Sequence, residues 1–220
     1  SQANDLSKQY PEKLAEMKNI FLVESAKNKN LPIGGGLWSV AYHPEDAPST
    51  PYTNWTFSGR IERMPEFTAP KLGKFDNDVS MEITVPDNAN GVLYALGGFS
   101  GGLSCYVKDG YLCYEYNLFE INRTQIKSKT KLPTGEVKID VVSRLVSAKR
   151  GSPMDIALKV NGEEVANGRV PITAPLFFTA NDCLDFGSDL GSPVSIDYYD
   201  EAPFEFNGTL STSKIWYPEK

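Results

Sequence analysis

Cys105-Tyr106-Val107-Lys108-Asp109-Gly110-Tyr111-Leu112-Cys113-Tyr114 is the stretch that decides the fold. Asp-Gly between two apolar, aromatic-rich runs is a strong hairpin signal, because both central residues of the favoured two-residue turn need positive φ. A two-residue loop also fixes the register: Val107 faces Leu112, Tyr106 faces Cys113 and Cys105 faces Tyr114. Cys105 and Cys113 then point to opposite faces, so no disulfide is expected between them.

The period of two continues outward from this hairpin. Val79, Met81, Ile83 and Val85 alternate with polar neighbours, residues 92–96 read as the next strand, and Val137, Ile139 and Val141 alternate again. Met154, Ile156, Leu158 and Val160 run into Asn161-Gly162, a second hairpin signal, with residues 165–170 returning. Residues 176–179 and 214–217 supply late strands. Short strands punctuated by turn dipeptides predict a mainly β chain, an antiparallel jelly-roll or lectin-like β-sandwich preceded by one N-terminal helix.

That helix is predicted over residues 11–27. Pro11 suits the first helical position, Glu12 the first turn, and Leu14, Met17 and Phe21 recur at helical spacing. Asn28, Asn30 and Pro32 end it, and Gly34-Gly35-Gly36 breaks the chain. The expected organisation is a helical segment over 1–35 and a sandwich domain over 36–220. Pro44, Pro48, Pro51 and Pro65 make the lead-in to residue 70 read as extended connection.

Composition bounds the function. The 220 residues are 40% hydrophobic, enough for a packed core, and Lys plus Arg number 22 against 28 Asp plus Glu, a net charge of −6. An acidic surface argues against nucleic acid as a partner. No window approaches about 18 consecutive apolar residues, and no export signal is visible, so no membrane span is expected. Cys105, Cys113 and Cys183 cannot all pair and have no metal spacing.

Few constellations carry chemistry. A single histidine, His43, has no visible scaffold for a catalytic triad. Asp182, Asp185, Asp189, Asp197, Asp200 and Glu201 offer hard oxygen ligands, with Asp182, Asp185 and Asp189 the candidates for calcium. Their spacing fits no recognised loop, and a solvated or docking loop is the competing reading. Asp185, Gly187, Asp189, Gly191, Pro193, Asp197 and Tyr198 make up that docking loop, its carboxylates expected to be exposed and free to meet basic groups on another domain. Tyr106, Tyr111, Tyr114 and Tyr116 cluster about one hairpin, as a sugar-stacking face would, although aromatics also fill cores. Gly97-Gly98-Phe99-Ser100-Gly101-Gly102 has no following Lys-Ser or Lys-Thr, so it reads as a tight loop or close approach of backbones rather than a phosphate cradle.

Several stretches resemble a known family. Ala3-Asn4-Asp5-Leu6 with Pro11-Glu12-Lys13-Leu14 is similar to the segment that follows the catalytic domain in many sulfatases. Gly97 to Ser104, Tyr106 to Gly110 and Tyr114-Glu115-Tyr116-Asn117, then Leu184 to Ser195 with Asp197-Tyr198, and Phe206 to Leu210, resemble in order the C-terminal region of large bacterial arylsulfatases. The resemblance implies a periplasmic or secreted parent enzyme that hydrolyses sulfate esters, with its formylglycine nucleophile and calcium ion in a catalytic domain outside this chain. None of the three cysteines has proline two residues on, and Ser49-Thr50-Pro51-Tyr52-Thr53 has threonine where the formylglycine motif needs arginine. No catalytic residue and no cofactor site is therefore assigned here.

Two functions follow. In the first, the sandwich is a non-catalytic companion that packs against the sulfatase catalytic domain and shapes its active-site mouth through residues 181–200. The alternative is an autonomous carbohydrate-binding module directing the enzyme to a sulfated glycan. Exposed rings along a groove would mark the module, and an apolar patch without a groove the companion.

Overall fold

The computed structural model describes residues 5–28, 52–179 and 181–219. The chain divides into two compact units, Ser1–Pro51 and Tyr52–Lys220. The expected boundary near residue 35, with Gly34-Gly35-Gly36, His43 and the prolines up to Pro51, lies outside the described residues.

The first unit contains helix α1 (Pro11–Lys27), with Pro11 opening it, Glu12 in the first turn and Lys27 in the last. Asn28 caps its end: the Asn28 backbone N–H and side-chain amide both donate to the Glu24 carbonyl, at 3.0 and 2.8 Å. Capping and favourable end charges account for the helix. Its periodic residues Leu14, Met17 and Phe21 are exposed.

The second unit is a two-layer sandwich. Its strands are β1 (Asn54–Ser58), β2 (Ile61–Pro65), β3 (Asn77–Val85), β4 (Gly91–Gly98), β5 (Gly101–Lys108) and β6 (Tyr111–Leu118). There follow β7 (Asn122–Lys131), β8 (Gly135–Leu145), β9 (Met154–Val160), β10 (Glu163–Val170), β11 (Cys183–Phe186) and β12 (Thr209–Trp216). Sheet 1 has the order β1-β12-β3-β8-β9-β10 and sheet 2 the order β2-β11-β4-β5-β6-β7. All ladders are antiparallel, and β1 meets β12 where the unit's chain enters and leaves: Asn54 pairs with Trp216, and Tyr217 N–H donates to the Thr53 carbonyl at 2.9 Å.

The predicted hairpins carry this topology. Asp109 and Gly110 have φ of 53° and 84°, and β5 pairs with β6 in the expected register, Val107 with Leu112, Tyr106 with Cys113 and Cys105 with Tyr114. Asn161 and Gly162 turn β9 into β10 in the same way, with φ of 51° and 87°. Val79, Met81, Ile83, Val137, Ile139, Val141, Ile156 and Leu158 of sheet 1 close on Leu103, Cys105, Val107, Leu112, Tyr114 and Tyr116 of sheet 2. Alternation with a buried partner layer is what makes these segments strands.

Two expectations are corrected. Residues 176–179 form no strand, because their backbone donors serve side chains instead of a ladder: Phe178 and Thr179 N–H donate to the Glu66 carboxylate at 2.9 and 3.1 Å. Within the lead-in, Asn54–Ser58 and Ile61–Pro65 are strands rather than plain connection; each is an outermost strand of its sheet, so its burial pattern is shallow.

Candidate functional site

The outer faces of the two sheets differ. Sheet 2 is covered by its own chain, a strap of residues 187–206 that includes a 3-10 helix, Ile196–Glu201. Under the strap, Val92, Ala95, Tyr106, Cys113, Val194, Tyr198 and Phe204 form a second apolar cluster, with Tyr198 stacked on Phe204 at 5.1 Å. A polar network fastens it. Arg123 donates to Glu115 at 2.8 Å and to the Val194 carbonyl at 2.7 Å, and Ser195 donates to the other Glu115 oxygen at 2.6 Å. The Tyr106 hydroxyl and the Gln125 amide both donate to Asp197 Oδ2, at 2.7 and 2.6 Å.

Asp189 sits at the centre of this cover. Its Oδ2 accepts from the Tyr198 hydroxyl at 2.6 Å and from Val194 N–H at 2.8 Å, while Oδ1 is buried with no partner among the described residues. Burial pushes its carboxyl up to about 7. Asp185 is buried too, accepting from Arg63 and Leu190 N–H at 2.5 and 3.1 Å, and its carboxyl is raised by the same cause. Gly98 permits the close approach of the strap: a Cβ there would stand 2.3 Å from Asp182 Oδ2 and Ser192 Oγ.

These positions correct several sequence expectations. Of the docking-loop residues, Asp185, Gly187, Asp189, Pro193 and Tyr198 are buried and only Gly191 and Asp197 are exposed, so the carboxylates at 185 and 189 are not free to meet another domain. The loop docks on its own sheet, and Cys183–Phe186 is a strand between β2 and β4. Asp182, Asp185 and Asp189 are each engaged by neighbouring backbone or hydroxyl groups, and among the described residues no three His, Cys, Asp or Glu side chains converge as a metal set. Tyr106, Tyr114 and Tyr116 are fully buried, Tyr114 and Tyr116 between the sheets and Tyr106 beneath the strap, so they form no exposed stacking face. Tyr111 is half-buried, with Lys127 and Lys131 at 4.7 and 5.7 Å over its ring. Cys105 and Cys113 are buried and free, and burial raises both thiols, Cys113 to about 12.

Among the described residues, no strap crosses the outer face of sheet 1. A straight cross-strand row runs Asn54, Trp216, Asp78, Val142, Ala157, Asn167 over all six strands. Beside it lies Arg144, Asp155, Arg169 on β8, β9 and β10. An open depression of about 410 Å³ is lined here by Val142, Arg144, Asp155, Ala157, Glu164, Asn167 and Arg169, among others. Its polar groups are planar and paired. Arg144 makes a two-pronged contact with Asp78 at 2.6 and 2.9 Å, and Arg169 one with Asp155 at 2.5 and 2.8 Å. The Asn167 amide donates to Glu164 at 2.5 Å, leaving Asn167 Oδ1 without a protein donor among the described residues. Arg169 holds the Asp155 carboxyl below its ordinary range.

A bulge creates this face. From the Asn161-Gly162 turn, uninterrupted pairing would set Asp155 opposite Gly168, but the register slips between Glu164 and Ala166, so Asp155 meets Arg169 and Ala157 meets Asn167. One slipped residue exchanges the faces of everything beyond it. Gly168 accordingly turns inward, where a Cβ would stand 2.7 Å from Ile126 Cγ1 on β7. None of Arg144, Asp155, Asn167, Arg169 and Trp216 is singled out by a sequence motif. Strand alternation places the first two outward, but the bulge hides the orientation of Asn167 and Arg169.

No protein-family model and no curated protein matches the sequence. Solved structures do match in fold. The CBM40 of the Ruminococcus gnavus IT-sialidase superposes with a TM-score of 0.52 at 14% identity, over 74% of this chain and 91% of that one. The same module bound to α2,6 sialyllactose gives 0.51 at 13%, over 74% and 91%. The leech intramolecular trans-sialidase, complexed with 2,7-anhydro-Neu5Ac, gives 0.52 at 13%, over 77% of this chain and 26% of its own. At such identities the likeness shows the fold: this chain carries a mainly antiparallel β-sandwich of the jelly-roll, lectin-like class.

Proposed function

We propose that the sandwich is a non-catalytic carbohydrate-binding module that holds an oligosaccharide on the open face of sheet 1. The observation that carries this reading is the depression itself: planar donor–acceptor pairs border a floor made of Val142 and Ala157, in line with Trp216. Sugar rings present hydroxyls at the rim and C–H groups on their faces, so paired polar side chains beside small apolar ones complement them, and a tryptophan adds a stacking surface. The row from Trp216 to Asn167 crosses four strand spacings, ~19 Å, room for several sugar rings. Modules of the same fold that hold sialylated sugars support the class of ligand. The alternative face, under the strap, is filled by the protein's own side chains.

The companion reading keeps one observation in its favour. Leu14, Met17 and Phe21 on α1 are exposed, and an exposed apolar helix suits packing against a further domain, which the sequence resemblance implies would be a sulfatase catalytic domain. The two roles rest on different residues, α1 for the one and sheet 1 for the other. A periplasmic or secreted location goes with both.

Calorimetric titration of the whole chain with a panel of oligosaccharides tests the module. At least one is expected to bind with a Kd between ~10 µM and ~1 mM, and Trp216→Ala or Asn167→Ala to weaken it about ten-fold. Asn167 is exposed, so its variant should melt with the wild type. Absence of binding to every member of the panel would overturn the proposal.

A further inference from the structure

We infer that the ligand of the sheet 1 depression is an uncharged oligosaccharide, lying across the strands and read by ion pairs that stay intact. The inference rests on the carbohydrate-binding reading and adds the substrate class.

The argument is electrostatic. An anionic sugar needs a cation with valence to spare, yet both guanidinium groups at the depression already hold a carboxylate in a two-pronged contact, Arg144 with Asp78 and Arg169 with Asp155. Glu164 adds a third carboxylate to the rim, so two cations stand against three anions. The chain as a whole carries −6. Seating a carboxylate or sulfate there would set it beside acidic groups or strip an arginine from its partner. Two lysines without an ion-pair partner among the described residues stand on the same face, Lys159 and Lys214, two residues along their strands from Ala157 and Trp216, but neither lines the depression; Lys127 and Lys131 straddle Tyr111 on the edge of sheet 2.

The same pairs suit a neutral diol. Arg169 spends Nε and Nη2 on Asp155 and has Nη1 free, while each Asp155 oxygen accepts one bond and retains further lone-pair capacity. Donor and acceptor therefore stand side by side, which is what two adjacent hydroxyls, each donating and accepting, require. Asn167 Oδ1 extends the set by one acceptor. The pairs displace only water when such a ligand arrives, and their geometry is already fixed, so little ordering entropy is lost.

The test uses the full chain and two matched sets of probes: lactose and neutral cello-, xylo- and manno-tetraoses, against 3′-sialyllactose, sulfated lactose and an oligouronate. A neutral probe is expected to bind with an affinity that changes less than about two-fold between ~20 and ~300 mM NaCl, because no net charge is neutralised. Asn167→Ala should weaken it about ten-fold, and Lys127→Ala should leave it unchanged. Asp155→Asn releases Arg169 and should create salt-sensitive binding of 3′-sialyllactose where the parent has none. Binding confined to charged probes, or neutral binding indifferent to Asn167→Ala, overturns the inference while the module reading stands. Binding of no probe overturns both. An Asp155→Asn chain that gains no affinity for the charged probe counts against the electrostatic argument.

Discussion

Asp189 concentrates the chemistry of the strap in one carboxyl. Its surroundings are the Tyr198 hydroxyl, Val194 N–H and the carboxylates of Asp185 and Asp182, none of them a cation. Burial therefore favours the protonated form, and the folded chain holds the proton to about pH 7, whereas the unfolded chain releases it near 3.8. A raised carboxyl contributes stability that is fully present below the unfolded value and lost as pH rises through the folded one. Thermal melts should accordingly fall between about pH 4.5 and pH 8, by on the order of 2–4 kcal/mol in all. Asp189→Asn keeps an acceptor for Tyr198 but carries no titrating proton, so its melting temperature should lose that slope. A wild-type curve flat over this range would show that Asp189 is ionised in the folded state. The sequence offers Asp189 as a metal-ligand candidate or as a free docking carboxylate. It cannot reveal the burial, because the residues that seal it, Tyr198 and Val194, belong to a strap whose path no local pattern encodes.

At the scale of elements, the turns were the most legible part. Asp109-Gly110 and Asn161-Gly162 announce their hairpins because their backbone angles are unusual and their residue types few. β3, β8 and β9 announce themselves by alternation against a full core. β7 does not, since only Ile126 and Ser128 of its ten residues are buried, and β1 and β2 are edge strands in which half-exposure blurs the period. The tyrosines of β5 and β6 were ambiguous for another reason: an aromatic strand reads alike whether its rings meet sugar or core. The bulge in β10 left the least trace, although it decides the open face. Gly168 is the residue that tolerates it, and Gly168→Val should cost about 1–3 kcal/mol by forcing Ile126 aside. Deleting Val165 would remove the extra residue and make the pairing continuous while leaving Asn167 opposite Ala157 and Arg169 opposite Asp155, on the outer face. That variant is expected to keep its sugar binding, and loss of binding by a chain that still folds would refute the face assignment.

Within the sandwich, the two layers have divided their tasks: sheet 2 spends its outer face on the strap, and among the described residues sheet 1 keeps its own open. A ligand that binds only the intact face must stabilise the fold by mass action. At a hundred-fold excess over Kd the gain is about 2.7 kcal/mol, which for a chain of this size raises Tm by about 5–10 °C. The Asn167→Ala chain at the same sugar concentration should rise much less, and equal rises in both would place the sugar elsewhere. The meeting of β1 and β12 at the entry and exit of the unit bears on how the module answers to force. Thr53 and Tyr217 are joined by a hydrogen bond, and the ladder runs inward from Asn54–Trp216 to Ser58–Thr212. Tension on the two flanking chain segments thus pulls at the same end of one antiparallel pair, and its bonds break singly, as in a zipper, rather than sharing the load in shear. Pulled by both flanks, the sandwich would yield first at the pair that includes Trp216, and so at one end of the row proposed to hold the sugar.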